Sequence, residues 1–331
     1  MLVREFDYDL PPELIAQEAR PRGQSRLLHL DGRGQIHHHR FPELPDLLSP
    51  GDLVVVNDTL VLPARLFGRR RPGGGRIEIL LVEKAAPAEW DALVRPGRKA
   101  RSGTVIDLDR DLSAEVVAKG DDGRHRLRFS GPVLHRLREL GHVPLPPYIK
   151  REDRPEDRER YQTVWAREPG AIAAPTAGLH FTEEILAELE DRGIGIASLT
   201  LHVGIGTFKP VTADLVHEHT MDSERYEIPP ETVGAIRSAR ETGGRIVAVG
   251  TTTTRALEGC AADHGGPLAD GPRETDLFIT PGFEFRVIDL LLTNFHLPKS
   301  TLLMLVSAFA GRERVLSAYR EAIRERYRFY S

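Results

Sequence analysis

Cysteine is nearly absent from this chain: Cys260 stands alone among 331 residues. No intramolecular disulfide can form, and no second thiol completes a Cys-x-x-Cys metal or redox motif, so a reducing cytosol is the expected compartment. Long apolar runs are scarce as well. The longest, 302–310, falls well short of the roughly 20 residues that a membrane helix takes. The N-terminus, MLVREFDYDLPPELIAQ, lacks the basic flank and apolar core of a secretory leader. Neither export nor membrane insertion is expected. Positive charge is not in excess either: 45 Lys and Arg face 49 Asp and Glu, for a net charge of −4. That balance excludes a surface basic all over and confines any contact with nucleic acid to a local patch.

What is present is ordinary globular composition, 40% hydrophobic and 28% charged, with enough length for two domains of typical size. From residue 51 the chain reads DLVVVNDTLVLPARLFG, followed by RIEILLVEK, EWDALVRPG, TVIDL, LSAEVVAKG and RHRLRFSG. Short β-branched pieces at this spacing, broken by Gly-Gly, Pro-Gly and Asp-Asp-Gly, predict a small antiparallel barrel over about residues 62–150. The segment GHVPLPPYIKREDRPEDRERYQTVW then reads as a proline-rich, solvated connector.

The second half changes rhythm. A helix is expected from about Thr182, its N-cap, to Arg192, then a strand in IGIASLTLHV, a helix over 231–242 and a strand over 245–249. Ser300 is a candidate N-cap for the C-terminal helices, and Gly311 interrupts them. Alternating helix and strand means an α/β layer, assigned to residues 1–61 and 151–331, with the barrel inserted at 62–150.

Four segments could carry chemistry. APTAGLHFT, 174–182, delivers Thr176 and His180 just ahead of a helix start, where backbone N–H groups favour an anion. LTLHVGIGTFKPV, 199–211, places His202 at a strand end, with Gly204 and Gly206 allowing a ligand close to the backbone. VAVGTTTTRALE, 247–258, runs from a strand through Gly250, Thr251 and Thr252 into a helix bearing Arg255 and Glu258, an arrangement suited to phosphates or carboxylates. TNFHLPKS, 293–300, sets Asn294, His296 and Lys299 in a polar break.

Taken singly, each of these histidines fits a structural or surface role better than a catalytic one. His37, His38 and His39 are not read as a metal cluster, because successive strand residues point to opposite faces. Cys260 reads as a small hydrophobe. The run RLFGRRRPGGGR holds Arg65, Arg69, Arg70 and Arg71, with Arg98 and Lys99 following closely. It suits phosphate binding or, equally, a hairpin tip whose arginines keep an edge soluble.

Taken together, these blocks resemble the S-adenosylmethionine:tRNA ribosyltransferase-isomerases of queuosine biosynthesis. The likeness runs almost end to end, through FDYDLPPELIAQ, SRLLHL at 25–30, GDLVVVNDTLVLPARLFG, ALVRPG, YQTVW, APTAGLHFT, LHVGIGTFKPV, VAVGTTTTRALE and TNFHLPKSTLLMLVSAFAG. Two departures stand out. Asp222 in HTMDSE occupies a position where the family carries histidine, and the chain ends in YRFYS without the family's short Gly-Asp-containing tail.

The resemblance implies an α/β main domain, a mixed sheet with flanking helices, interrupted by a small antiparallel β-barrel. It also implies a reaction in which S-adenosylmethionine gives up its ribosyl group to 7-aminomethyl-7-deazaguanine at the wobble position of a tRNA with a GUN anticodon. Adenine and methionine leave, and epoxyqueuosine results. S-adenosylmethionine is then a consumed co-substrate, with no bound cofactor or metal, and a monomer is the default expectation. The sulfonium acidifies the adjacent C5′ hydrogens, a task within reach of a histidine base in a dry site.

His180, His202 and His296 are the candidate acid and base. Asn57, Asp58 and Asn294 are candidates for ribose hydroxyls, and Arg255 or the helix start at Thr251 and Thr252 for the methionine carboxylate. Thr176, Gly204 and Lys299 complete the candidate pocket. Arg65, Arg69, Arg70, Arg71, Arg98, Lys99 and the C-terminal arginines are candidates for tRNA phosphates. Two rivals are an S-adenosylmethionine-dependent RNA methyltransferase and a non-catalytic RNA-binding module.

Overall fold

The computed structural model describes residues 1–120, 123–204 and 211–330. An antiparallel hairpin, β1 (Arg26–Leu30) and β2 (Ile36–Arg40), precedes β3 (Leu53–Asn57) and the short β4 (Thr59–Val61). Six strands then close into an antiparallel barrel: β5 (Arg65–Arg71), β6 (Arg76–Ala86), β7 (Glu89–Arg95), β8 (Val105–Asp107), β9 (Ser113–Lys119) and β10 (His125–Phe129). Each corresponds to one strand-like piece of the sequence. Alternation supplies the barrel core, with Leu66, Ile77, Ile79, Leu81, Ile106 and Leu127 pointing inward. Val133 and Leu137 of helix α1 (Val133–Leu140) join that core. After the short α2 (Asp157–Arg160), β11 (Glu168–Ala171) pairs in parallel with β4, so the chain leaves and re-enters the α/β layer through adjacent strands.

The remainder holds α3 (Glu183–Asp191), β12 (Gly195–Leu201), β13 (Glu224–Ile228), α4 (Pro230–Glu241), β14 (Ile246–Val249), α5 (Thr251–Asp263), β15 (Gly271–Thr275), β16 (Leu290–Leu292), α6 (Thr301–Ala310) and α7 (Arg312–Arg324), of which β13, β15 and β16 are strands the sequence did not single out. Both expected caps form, the Thr182 side chain accepting from the Ile185 N–H and Ser300 from the Leu303 N–H. Gly311, at φ 88, turns the chain between α6 and α7 in a region that favours glycine.

The main sheet has the order β15-β13-β12-β3-β14-β16. β12 and β14 flank β3 in parallel, and β16 lies parallel to β14, whereas β13 and β15 are antiparallel additions. β3 is buried along its whole length because both sheet faces are covered. Val55 packs with Ile236 of α4 and Leu257 of α5 on one face; Val54 and Val56 pack with Phe41, Phe181 and Ile185 on the other. Chain order reverses about β3, and the carboxyl ends of β3, β12, β14 and β16 share one edge. That crevice is where open α/β sheets hold their ligands.

Candidate active site

The segments singled out in the sequence converge on this edge. His180 ends a tight turn, Thr176–His180, stacked beside the buried Phe41 ring. Its Nε2 lies 2.8 Å from Asn294 Oδ1, and Asn294 Nδ2 donates to Thr176 Oγ1 at 2.9 Å. Because the Asn294 amide nitrogen is engaged with Thr176, Oδ1 is the atom facing His180, and the imidazole carries its proton on Nε2. Nδ1 is then the acceptor, and it meets the Ser25 hydroxyl at 2.9 Å. Burial pushes the His180 pKa down, against the hydrogen bond to Asn294, so the ring is neutral. Ser25, His180 and Asn294 line a groove of about 680 Å³ between the β1–β2 hairpin, β16 and α7.

Ser25 is a residue the sequence did not flag. It lies in the SRLLHL block but 155 positions from its partner, and a serine ahead of a strand has no chemical signature of its own.

His202 occupies a second position on the same edge. Its Nδ1 lies 2.8 Å from Thr59 Oγ1, and among the described residues Nε2 makes no hydrogen bond. A Cβ on Gly170 would come within 2.6 Å of the ring, so glycine is what allows the imidazole to lie against β11. Burial lowers the His202 pKa, with Asp58 and Glu168 opposing. Asp58 is itself buried, accepts from Thr200 Oγ1 at 2.6 Å and pairs with Arg167 at 2.9 Å. α5 begins at Thr251 beyond Gly250, whose φ of 93 makes the strand-to-helix turn. A Cβ on Gly250 would sit 3.8 Å from Ala177, which places this helix start beside the turn carrying His180.

Other expected residues are committed elsewhere. Arg255 is 4% exposed and pairs with Glu224, with further donation to the Leu277 and Thr275 carbonyls. Its charge is neutralised in the interior rather than offered to a carboxylate. Glu224 also accepts from the Gly204 N–H at 3.1 Å, so Gly204 is anchored to the same pair. Asn57 accepts from the Thr59 and Leu201 N–H groups and donates to the Leu201 carbonyl and Thr252 Oγ1, which fills its hydrogen-bonding capacity.

His296 is sealed, with Nε2 on Thr293 Oγ1 at 2.9 Å and its pKa pushed down to about 3 by burial. Its backbone carbonyl accepts from the Tyr8 hydroxyl and its N–H donates to the Tyr319 hydroxyl at 3.0 Å, so it ties the N-terminus to α7. It does not line the groove. Lys299 pairs with Asp7 at the surface, 2.7 Å away. Gly206 lies outside the described residues.

In the barrel, the expected phosphate ligands divide. Arg71 forms a two-point pair with Asp107, and Arg65 faces Glu78 while donating to the Leu145 carbonyl. Arg70 is half-buried; Arg69, Arg98 and Lys99 are exposed. Asp222 lies 3.7 Å from Arg124 of the β9–β10 hairpin, so the departure from the family pattern falls where barrel and main layer meet. His37, His38 and His39 spread to Asp31, Tyr327 and Glu43 respectively. Among the described residues, no group of three His, Cys, Asp or Glu could hold a metal ion. No helix among them is long and apolar enough to cross a membrane.

Residues 3–331 match the family model described as queuosine biosynthesis protein. The chain belongs to that family. Relatives include the S-adenosylmethionine:tRNA ribosyltransferase-isomerase of Thermotoga maritima, 52% identical over all of this chain and 98% of that protein. The protein of the same name from Gloeobacter violaceus is 53% identical over all of this chain and 94% of its own length. A crystal structure of S-adenosylmethionine tRNA ribosyltransferase from Thermotoga maritima superposes with a TM-score of 0.54, covering 99% of this chain and 97% of that one at 43% identity. An α/β layer interrupted by a β-barrel, expected from the sequence, is therefore both the observed architecture and the family's. The segment carrying Ser25, the turn carrying His180 and the loop carrying Asn294 lie within the matched family region.

Proposed function

We infer that this chain is an S-adenosylmethionine:tRNA ribosyltransferase-isomerase. It transfers and isomerises the ribosyl group of S-adenosylmethionine onto 7-aminomethyl-7-deazaguanine at the tRNA wobble position, releasing adenine and methionine. The observation that carries this reading is full-length identity above one half to proteins of that name. These relatives favour neither rival reading.

The geometry supports a division of labour within the site. His180 is the base. Neutral and oriented by Asn294, it accepts a proton at Nδ1 from Ser25 as the Ser25 oxygen takes one from the substrate. A C5′ hydrogen beside the sulfonium is the proton this pair would remove. His202, with Thr59 on Nδ1, presents Nε2 as the second proton-transfer group, suited to the departing adenine. The α5 start at Thr251 and Thr252 offers backbone N–H groups to the methionine carboxylate. Arg69, Arg98 and Lys99 on the barrel are available to tRNA phosphates, and the tRNA partner is one with a GUN anticodon.

The test is product analysis. Purified protein incubated with S-adenosylmethionine and tRNA bearing 7-aminomethyl-7-deazaguanine should yield adenine, methionine and a nucleoside of epoxyqueuosine mass. S-adenosylhomocysteine in their place would make the chain a methyltransferase. Tight tRNA binding with no turnover would make it a binding module.

A further inference from the structure

The groove that holds Ser25 and His180 is rimmed at one end by Arg20, Arg22, Arg26, Arg160, Arg326 and Arg328. Against them stand two carboxylates, Glu18 and Glu325. Glu18 already pairs with Arg154, 3.1 Å away, and Glu325 approaches Arg324 at 3.5 Å.

Four of these arginines are held by backbone oxygens. Arg22 donates to the Glu159 carbonyl at 3.1 Å, Arg160 to Arg20 at 3.1 Å, Arg26 to Glu325 at 2.7 Å, and Arg328 to the Glu18 carbonyl. Carbonyls orient a guanidinium without cancelling its charge, so the patch stays strongly positive. One nitrogen, Arg22 Nη1, is buried with no hydrogen-bond partner, a donor whose desolvation nothing in the protein repays. The patch also adjoins the chemistry directly. Gly23, next to Arg22, donates its N–H to the His180 carbonyl at 3.1 Å, and Ser25 follows two residues later.

We propose that this rim is the main seat of the RNA backbone: phosphates flanking the target nucleotide bind Arg20, Arg22, Arg160, Arg326 and Arg328 and present the base to the groove. The proposal rests on the tRNA-modifying reading above and names where the RNA sits. A single-stranded anticodon loop offers closely spaced phosphates, and planar guanidiniums on fixed carbonyls grip them in two-point fashion. Arg26, whose guanidinium lies 3.8 Å over the Tyr327 ring, is spent on that stack and is left out of the set.

The experiment is the salt dependence of binding to a tRNA transcript with guanine at the wobble position, which needs no chemistry. Arg20→Gln, Arg326→Gln and Arg328→Gln are combined, since Arg20 and Arg326 are exposed and their loss should leave folding intact. The slope of log affinity against log salt should flatten by about 2, at about 0.7 per contact, with roughly tenfold or greater weakening at low salt. Arg20→Lys with Arg326→Lys, which keep the charge, should retain most of the slope. Arg128→Gln with Arg136→Gln, whose partners are carboxylates on the barrel side, should leave it unchanged.

An unchanged slope in the triple variant would overturn the proposal. So would an unchanged slope with a raised KM for S-adenosylmethionine, which would assign the patch to the methionine carboxylate. If the wild type binds tRNA through these residues yet forms no product from tRNA bearing 7-aminomethyl-7-deazaguanine, the enzymatic reading fails while the RNA seat stands.

Discussion

The barrel and the groove beside His180 are both rich in arginine, yet the two sets face different partners. On the barrel, Arg71, Arg126, Arg128 and Arg136 each meet a carboxylate: Asp107, Asp91, Glu89 and Asp109. At the groove, Arg245 pairs with Asp52, but Arg22, Arg26, Arg160 and Arg328 meet backbone carbonyls. Counting arginines along the sequence favours the barrel as the nucleic-acid surface, because RLFGRRRPGGGR is the densest run. What governs attraction is charge left after local pairing; Arg69, Arg98 and Lys99 of the barrel keep theirs too, so what sets the groove set apart in our proposal is that it adjoins His180. The same distinction separates His180, which opens to the groove through Ser25, from His296, which is sealed behind Thr293.

The largest expected effect sharpens the second contrast. Ser25→Ala and His180→Ala should each slow adenine release by about 10²–10⁴-fold. The double variant should be no slower than either single one, because the two groups pass one proton. If the losses instead multiply, Ser25 and His180 act separately. Nitrogen NMR of labelled imidazole supplies a readout that a merely structural serine would not move. The His180 proton should reside on Nε2 in the wild type, and the Nδ1 signal should shift in Ser25→Ala.

Next in size is the consequence of where an ion pair lies. Glu224→Gln strands the Arg255 guanidinium in the interior and should cost about 3–5 kcal/mol in urea unfolding. Asp107→Asn breaks the solvent-exposed pair with Arg71 and should cost at most about 1 kcal/mol. Equal losses would show that burial does not separate the two.

The last expected effect concerns pH and is spread over several pH units. The His296 pKa falls from the ordinary 6.5 to about 3 on burial, so the unfolded chain binds a proton there that the folded chain refuses. The stability this residue contributes is therefore complete above pH 6.5 and is lost as pH falls from 6.5 towards 3, at about 1.4 kcal/mol per unit. His296→Gln should flatten the pH dependence of unfolding over that window. A variant with the wild-type slope would place the titration on another group.

Much of the architecture was legible without the structure. The six barrel strands are bounded by Gly-Gly, Pro-Gly and similar turns that act over a few residues, and Thr182 and Ser300 cap helices through bonds to residues three positions on. The candidate segments were legible too, because a histidine at a strand end or in a polar break is visible in one dimension. Their roles were not. Asn57 and Arg255 look like substrate ligands until Leu201 and Glu224 arrive from distant strands to satisfy them.

Sequence by itself therefore determined the family, the inserted-barrel plan and the four segments around the site, since these rest on local turn chemistry, side-chain periodicity and long matched blocks. Only the tertiary structure decided that Ser25 stands at Nδ1 of His180, that His296 is closed off, and that arginines at the groove are held by carbonyls. Burial, proton position and net electrostatic potential are set by neighbours far apart in the chain, and folding alone brings those neighbours together.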